Sequence, residues 1–170
     1  MLKDNVEKAL NDQLNFELYS AYIYLAMSAW FEDQDLPGFA NWMDIQWQEE
    51  QFHSNKFFHF INARGGRVEL EAIPKPQKDW NSPLEAFEHA LEHEQTVTAR
   101  IGQLVRLSRD EDDYGTESFL TWFIDEPVEE ESNVDTIIKQ LKRIGDHGPS
   151  ILMLDQQLGA RSFTPPATGE

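Results

Sequence analysis

Glu50-Gln51-Phe52-His53 sets a carboxylate and an imidazole three residues apart, a spacing that places both on one face of a helix. Such pairs arise often by chance, so the spacing alone carries little. Three further acids change its weight. Glu17, Glu94 and Glu130 each fall inside the apolar stripe of a different stretch with helical periodicity. Burying an unpaired carboxylate costs on the order of several kcal/mol, so such a group is paired, protonated or bound to a cation. Four carboxylates and one imidazole converging in a core are therefore expected to form a metal cluster. Oxygen-rich ligands with a single nitrogen suit iron or manganese better than a structural zinc. A carboxylate in the position of Glu50 can bridge two ions while the others terminate each.

Four long helices are predicted to carry these groups. The first spans about residues 5–33, opened by a capping-box pattern at Asp4 and Glu7 and closed by Asp35-Leu36-Pro37-Gly38; its stripe is Leu10, Leu14, Glu17, Ala21, Tyr24 and Ser28. The second starts near Pro37 and stops at Gly65-Gly66, with Phe39, Met43, Gln46, Glu50, His53, Phe57 and Phe60 on one face. Ser82-Pro83-Leu84-Glu85 opens the third, whose stripe reads Phe87, Leu91, Glu94, Thr98, Ile101 and Val105. Asp112 or Asp113 caps the fourth, which presents Phe119, Phe123, Glu126 or Pro127, Glu130, Val134, Ile137 and Leu141. Gly148-Pro149 precedes a short fifth helix, Ser150 to Leu158. Its Ile151, Leu152, Leu154 and Leu158 are too apolar a set for a helix left in solvent. Residues 1–160 read as one domain and 161–170 as a flexible tail, disordered from Thr164 on.

The stretch from about residue 66 to 82 holds Pro74 and Pro76 and precedes Pro83, so it is not helical. Extended, it reaches roughly 55 Å, whereas a helix of about 26 residues is only about 39 Å long. Antiparallel neighbours need only about two to eight connecting residues. The long connection is therefore expected to run the length of the bundle and make the second and third helices parallel. At 1.5 Å per residue, Glu50 then lies about 18 Å from the common end, Glu94 about 17 Å, Glu130 about 20 Å and Glu17 about 24 Å. All four share one level.

Thirty-one acids against fourteen bases give a formal charge of −17. No basic stripe is present to neutralise phosphates, which argues against nucleic-acid binding. The acidic field can instead draw cations toward openings in the surface. With no cysteine, the chain has no disulfide, zinc ribbon or thiol nucleophile. No signal-like N-terminus appears, and the longest mostly apolar run, Ala21 to Phe31, is too short to span a membrane, so a cytoplasmic protein is expected.

At these residues the chain resembles the bacterial and archaeal non-haem ferritins. The resemblance rests on Glu17 and Tyr24, Trp47-Gln48-Glu49-Glu50 with His53, Glu94, and Val128-Glu129-Glu130. Gly38-Phe39, Arg64-Gly65-Gly66 and Phe163-Thr164-Pro165-Pro166 extend it over nearly the whole chain. Ferritin-like proteins are themselves the standing example of a one-crossover bundle with inward glutamates. The resemblance implies an all-α, iron-oxidising and iron-storing subunit of a hollow shell of about twenty-four copies. It implies that Glu17, Glu50 and His53 hold one iron and that Glu50, Glu94 and Glu130 hold the second. Glu49, Glu126 and Glu129 would form a third, weaker site, and Tyr24 would act beside the pair as electron donor or hydrogen-bond partner. Fe(II) with oxygen or hydrogen peroxide would be the substrates. Two departures stand out: Gln51 falls where the related haem proteins place a methionine, so haem is not expected, and Pro127 stands where a glutamine is usual. A di-iron peroxidase or oxygenase is the alternative reading, and a metal-free helical interaction module a third. His59, His89, His93 and His147 are not expected to bind metal, and Trp42, Trp47, Trp80 and Trp122 read as packing or subunit-contact residues.

Overall fold

The computed structural model describes residues 2–164. Among them lie five helices and no strand: α1 (Asp4–Asp33), α2 (Pro37–Ala63), α3 (Pro83–Asp110), α4 (Tyr114–Ile144) and α5 (Gly148–Leu158). The two hairpins α1–α2 and α3–α4 close through three-residue turns, and each turn contains an aspartate in the left-handed region, Asp35 at φ 56° and Asp112 at φ 53°. Aspartate tolerates that conformation through local hydrogen bonding where a β-branched residue would not. Asp113 caps α4 by accepting from the Thr116 amide at 3.0 Å, and it also accepts from Arg64 at the end of α2. The tail from residue 165 onward, expected to be disordered, lies outside the described residues. No described helix is long and apolar enough to cross a membrane.

Residues 64–82 form the crossover, and the mechanism that seats it is a side-chain ladder on α1. Glu7 accepts from the Arg67 amide at 2.9 Å. Asn11 donates to the Arg67 carbonyl at 2.9 Å and accepts from the Glu69 amide at 2.8 Å. Asn15 repeats the pattern on the Glu69 carbonyl and the Glu71 amide, both at 2.8 Å. The match is one of periods: two extended residues advance about 6.6 Å and four helical residues about 6 Å. The crossover thus climbs α1 in the same direction and ends with Trp80 against Trp30, ring centroids 5.6 Å apart. α2 and α3 consequently start at the same end, where Phe87 packs on Phe39 and Trp42.

The core divides into two apolar layers. Met27, Phe31, Phe39, Met43, Phe87 and Val134 belong to one, and Leu10, Leu14, Phe57, Ile61, Ile101 and Phe123 to the other. The predicted acids lie between them. α5 lies across the start of α2, where Asp155 accepts from the Gly38 and Phe39 amides at 2.7 and 2.9 Å. These are two of the donors that a helix start leaves without internal partners. Gly38 is obligatory there, since a Cβ would sit 1.7 Å from the Asp155 carbonyl oxygen.

Three local expectations are corrected. Asp4 and Glu7 form no capping box: the helix begins at Asp4 behind an uncapped Lys3, and the Glu7 carboxylate serves the crossover. Thr98 is exposed and bonds Glu131 at 2.5 Å, while Val97 fills the core position beside it. α5 opens at Gly148, two residues early, because Pro149 fits its first turn.

Candidate metal centre

α1 and α2 bring Glu17, Glu50 and His53 together in the gap between the layers. Each is at most 5% exposed, and each offers a ligand atom within 4.8 Å of the other two. Glu94 on α3 and Glu130 on α4 face them from the second hairpin, at 2% and 7% exposure. Tyr24 donates from its hydroxyl to Glu94 Oε1. Gln46 Nε2 donates to Glu130 Oε2 at 2.5 Å, and Gln13 Nε2 to Glu17 Oε1 at 2.8 Å. Each outer acid therefore has one oxygen oriented by a neighbour.

The remaining oxygens carry the chemistry. Glu17 Oε2 and Glu50 Oε2 are fully buried without a hydrogen-bond partner. His53 Nδ1 lies 3.3 Å from Glu50 Oε2, within ion-pair range but out of line for a hydrogen bond. Buried acceptors are almost always satisfied, so two bare carboxylate oxygens beside an imidazole mark a place built for a cation. Among the described residues, Glu17, Glu50 and His53 are the group close enough to share one ion, and two carboxylates with one nitrogen fit iron; Glu94 and Glu130 stand outside that group.

Electrostatics agree with that reading. Burial, then the neighbouring Glu130 charge, pushes the Glu94 carboxyl up to about 8. Burial, then Glu126 and Glu49, pushes Glu130 up to about 7. Glu50 is raised well above the carboxylate range, chiefly by burial. For His53, burial acts to lower the pKa, but the Glu126 and Glu50 carboxylates outweigh it and hold the ring well above its ordinary value. Tyr24 is likewise raised, by burial and then by Glu94. Raised in this way, the carboxyls favour their protonated forms, so a cation bound there would displace protons.

Glu49, Glu126 and Glu129 are dispersed differently. They line a cleft of about 530 Å³ that opens beside His53 and also includes Glu130. Glu126 Oε1 lies 3.2 Å from His53 Nε2, and Glu129 is exposed. Glu49 is already engaged: Arg161 Nη2 donates to its Oε2 at 2.7 Å. Pro127 is buried within an unbroken α4.

Arg161, at the start of the expected flexible tail, reaches the cleft with its side chain. Arg100 Nε donates to Gln13 Oε1 at 2.9 Å and so fixes the amide that orients Glu17. His93 is buried, stacked on Phe16 and bonded to Ser20 at 2.7 Å, with burial lowering its pKa to about 4; it is a neutral packing residue. His89 is half-buried and accepts from Trp80. Periodicity carries no signal for partners on another element, and Arg161 lies beyond the last helix altogether.

A four-helix bundle with one long crossover and a carboxylate–imidazole centre between its hairpins is a ferritin-like architecture. A family profile described as the ferritin-like domain matches residues 7–144. The chain is 44% identical over 163 residues to the bacterial non-heme ferritin of Staphylococcus aureus (strain USA300), covering 96% of this chain and 98% of that protein. The bacterial non-heme ferritin of Staphylococcus haemolyticus (strain JCSC1435) shows the same identity and coverage. An open pore ferritin from the hyperthermophilic archaeon Archaeoglobus fulgidus superposes with a TM-score of 0.94 at 46% identity, covering 95% of this chain and 100% of that one. The chain belongs to the ferritin family.

Proposed function

We propose that this chain is an iron-storage ferritin subunit that oxidises Fe(II) at a paired site and delivers Fe(III) to a mineral inside a shell of about twenty-four cytoplasmic copies. Glu17, Glu50 and His53 hold one iron. Glu50, Glu94 and Glu130 hold the second, and Glu49, Glu126 and Glu129 a third, weaker one. The observation that carries the reading is the pair of buried, unpartnered oxygens on Glu17 and Glu50 beside His53.

Two Fe(II) ions give one electron each to O2, which takes two protons and leaves as hydrogen peroxide; peroxide can accept the next electron pair and leave as water. The protein's part is positional. Glu50 faces both ions and holds them close enough to be oxidised together. Gln13 and Gln46 each occupy one oxygen of a terminal carboxylate and leave the other for metal. Tyr24 restrains Glu94 through its hydroxyl proton. The two aromatic-rich layers bound the centre above and below, and the cleft beside His53 leaves it a way in from solvent.

Measuring native mass and bound iron together tests the reading. A large iron-filled shell is expected after aerobic Fe(II) addition. A small oligomer holding only two irons per chain would instead point to a di-iron peroxidase or oxygenase, and a metal-free species would exclude both.

A further inference from the structure

The cleft that contains Glu49, Glu126, Glu129 and Glu130 also contains a cation of the protein's own. Among the described residues that line it, Arg161 is the only lysine or arginine. Its guanidinium is fastened on two sides besides the 2.7 Å bond to Glu49. Nη1 donates to the Trp42 carbonyl at 3.4 Å, and the group lies over the Trp42 ring at 4.6 Å. The backbone is tethered as well, since Asn41 Nδ2 donates to the Arg161 carbonyl at 3.1 Å, and Phe163 packs edge-on to Phe52. The Arg161 and Glu49 side chains are only 21% and 16% exposed, so solvent screens the pair incompletely.

We propose that Arg161 is a built-in cation that occupies the third iron position electrostatically, pinning Glu49 and keeping that position weak until iron displaces the guanidinium. The inference rests on the assignment of Glu49, Glu126 and Glu129 to a third iron. Arginine stays charged at any relevant pH, so it cannot leave by losing a proton. An incoming Fe(II) either works against its charge or displaces it. Displacement also frees Glu49 as a ligand and pulls on the residue 161–163 segment that Asn41 and Phe52 hold. Occupancy of the third position and placement of that segment are therefore coupled, and the coupling is reciprocal.

Calorimetric titration of the assembled apo-shell with Zn(II), which is redox-silent, counts ions per subunit without turnover. Arg161→Gln should tighten the weakest class about tenfold, since it removes a like charge and releases Glu49. Arg161→Lys, which keeps the charge but loses the fork, should stay near wild type. Asn41→Ala loosens the tether without altering charge and should tighten the same class to a smaller degree. An Arg161→Gln shell whose weak class is unchanged or weaker would overturn the inference while leaving the tight pair, and hence the ferritin reading, intact. If Arg161→Gln does not assemble, an unchanged weak class in Asn41→Ala overturns it instead. A wild-type shell without a tight pair would remove the ferritin reading first.

Discussion

A carboxylic acid sealed between apolar layers is stable as its neutral form or against a cation, and the two states respond to pH in opposite senses. Glu94 and Glu130 have ordinary values of 4.5 and are raised to about 8 and about 7 in the folded chain, chiefly by burial. The folded state thus binds more protons than the unfolded one between those limits, and apo stability must fall as pH rises from about 4.5 to about 8. Melting of the apo-shell at fixed ionic strength should show this slope, and the Glu94→Gln/Glu130→Gln protein should flatten it. An equal slope in both proteins would contradict the assignment. Metal affinity should run the other way, rising with pH as the protons leave. Glu50→Ala and His53→Ala should each slow rapid Fe(II) oxidation by at least about a hundredfold in stopped-flow absorbance. Unchanged fast oxidation in Glu50→Ala would remove the oxidation site. The five core ligand candidates were legible in the sequence because an acid in an apolar stripe contradicts its surroundings. Arg161 and Arg100 break no local pattern; their partners Glu49 and Gln13 lie 112 and 87 residues away.

Helix limits were legible to within two residues wherever proline, glycine or aspartate punctuates the chain, as at Pro37, Pro83 and Asp113. The cap of α1 differs from expectation because Glu7, which spells a capping box with Asp4, accepts from the crossover instead, and tertiary hydrogen bonding won. Pro127 is the element-scale anomaly. An interior proline typically costs about 3 kcal/mol through a lost hydrogen bond and a clash four residues back, here at Phe123. α4 nevertheless runs unbroken through it, with the ring buried three residues before Glu130. Pro127→Gln should return the bond to the Phe123 carbonyl and raise the melting midpoint, by roughly 2–4 °C for each kcal/mol regained. It should also tighten the Glu50–Glu94–Glu130 position and change the oxidation rate more than about twofold, if the ring displaces the flanking acids. Equal metal occupancy and kinetics would leave Pro127 without functional effect. Asp155→Ala is the parallel test for α5. Losing two helix-start bonds should cost about 1 kcal/mol and loosen α5 from α2, visible as faster amide exchange at Gly38 and Phe39.

Topology was the molecular-scale feature most legible beforehand, because the length of the 64–82 connection allowed a run along the whole bundle. The means of attachment was not: Asn11 and Asn15 look like ordinary polar helix residues until an extended chain lies beside them. Assembly follows from what the single chain leaves uncovered. On α5, Leu154 and Leu158 are buried against the bundle, but Leu152 and Met153 remain 61% and 73% exposed, next to each other in the middle of the helix. Tyr22 and Leu25 on α1 and Val128 on α4 are exposed as well. Apolar surface of this kind is normally covered by a partner, and in the proposed shell that partner is another copy. Against that attraction stands a formal charge of −17 on every subunit. The Debye length is about 8 Å near physiological salt but about 30 Å at ten millimolar, so repulsion between copies grows sharply as salt is removed. Light scattering should therefore find the large shell at moderate and high salt and smaller oligomers at low salt. Leu152→Glu should shift that transition to higher salt by adding charge and removing apolar contact together. Monomers or dimers at every ionic strength would refute a shell built on these faces.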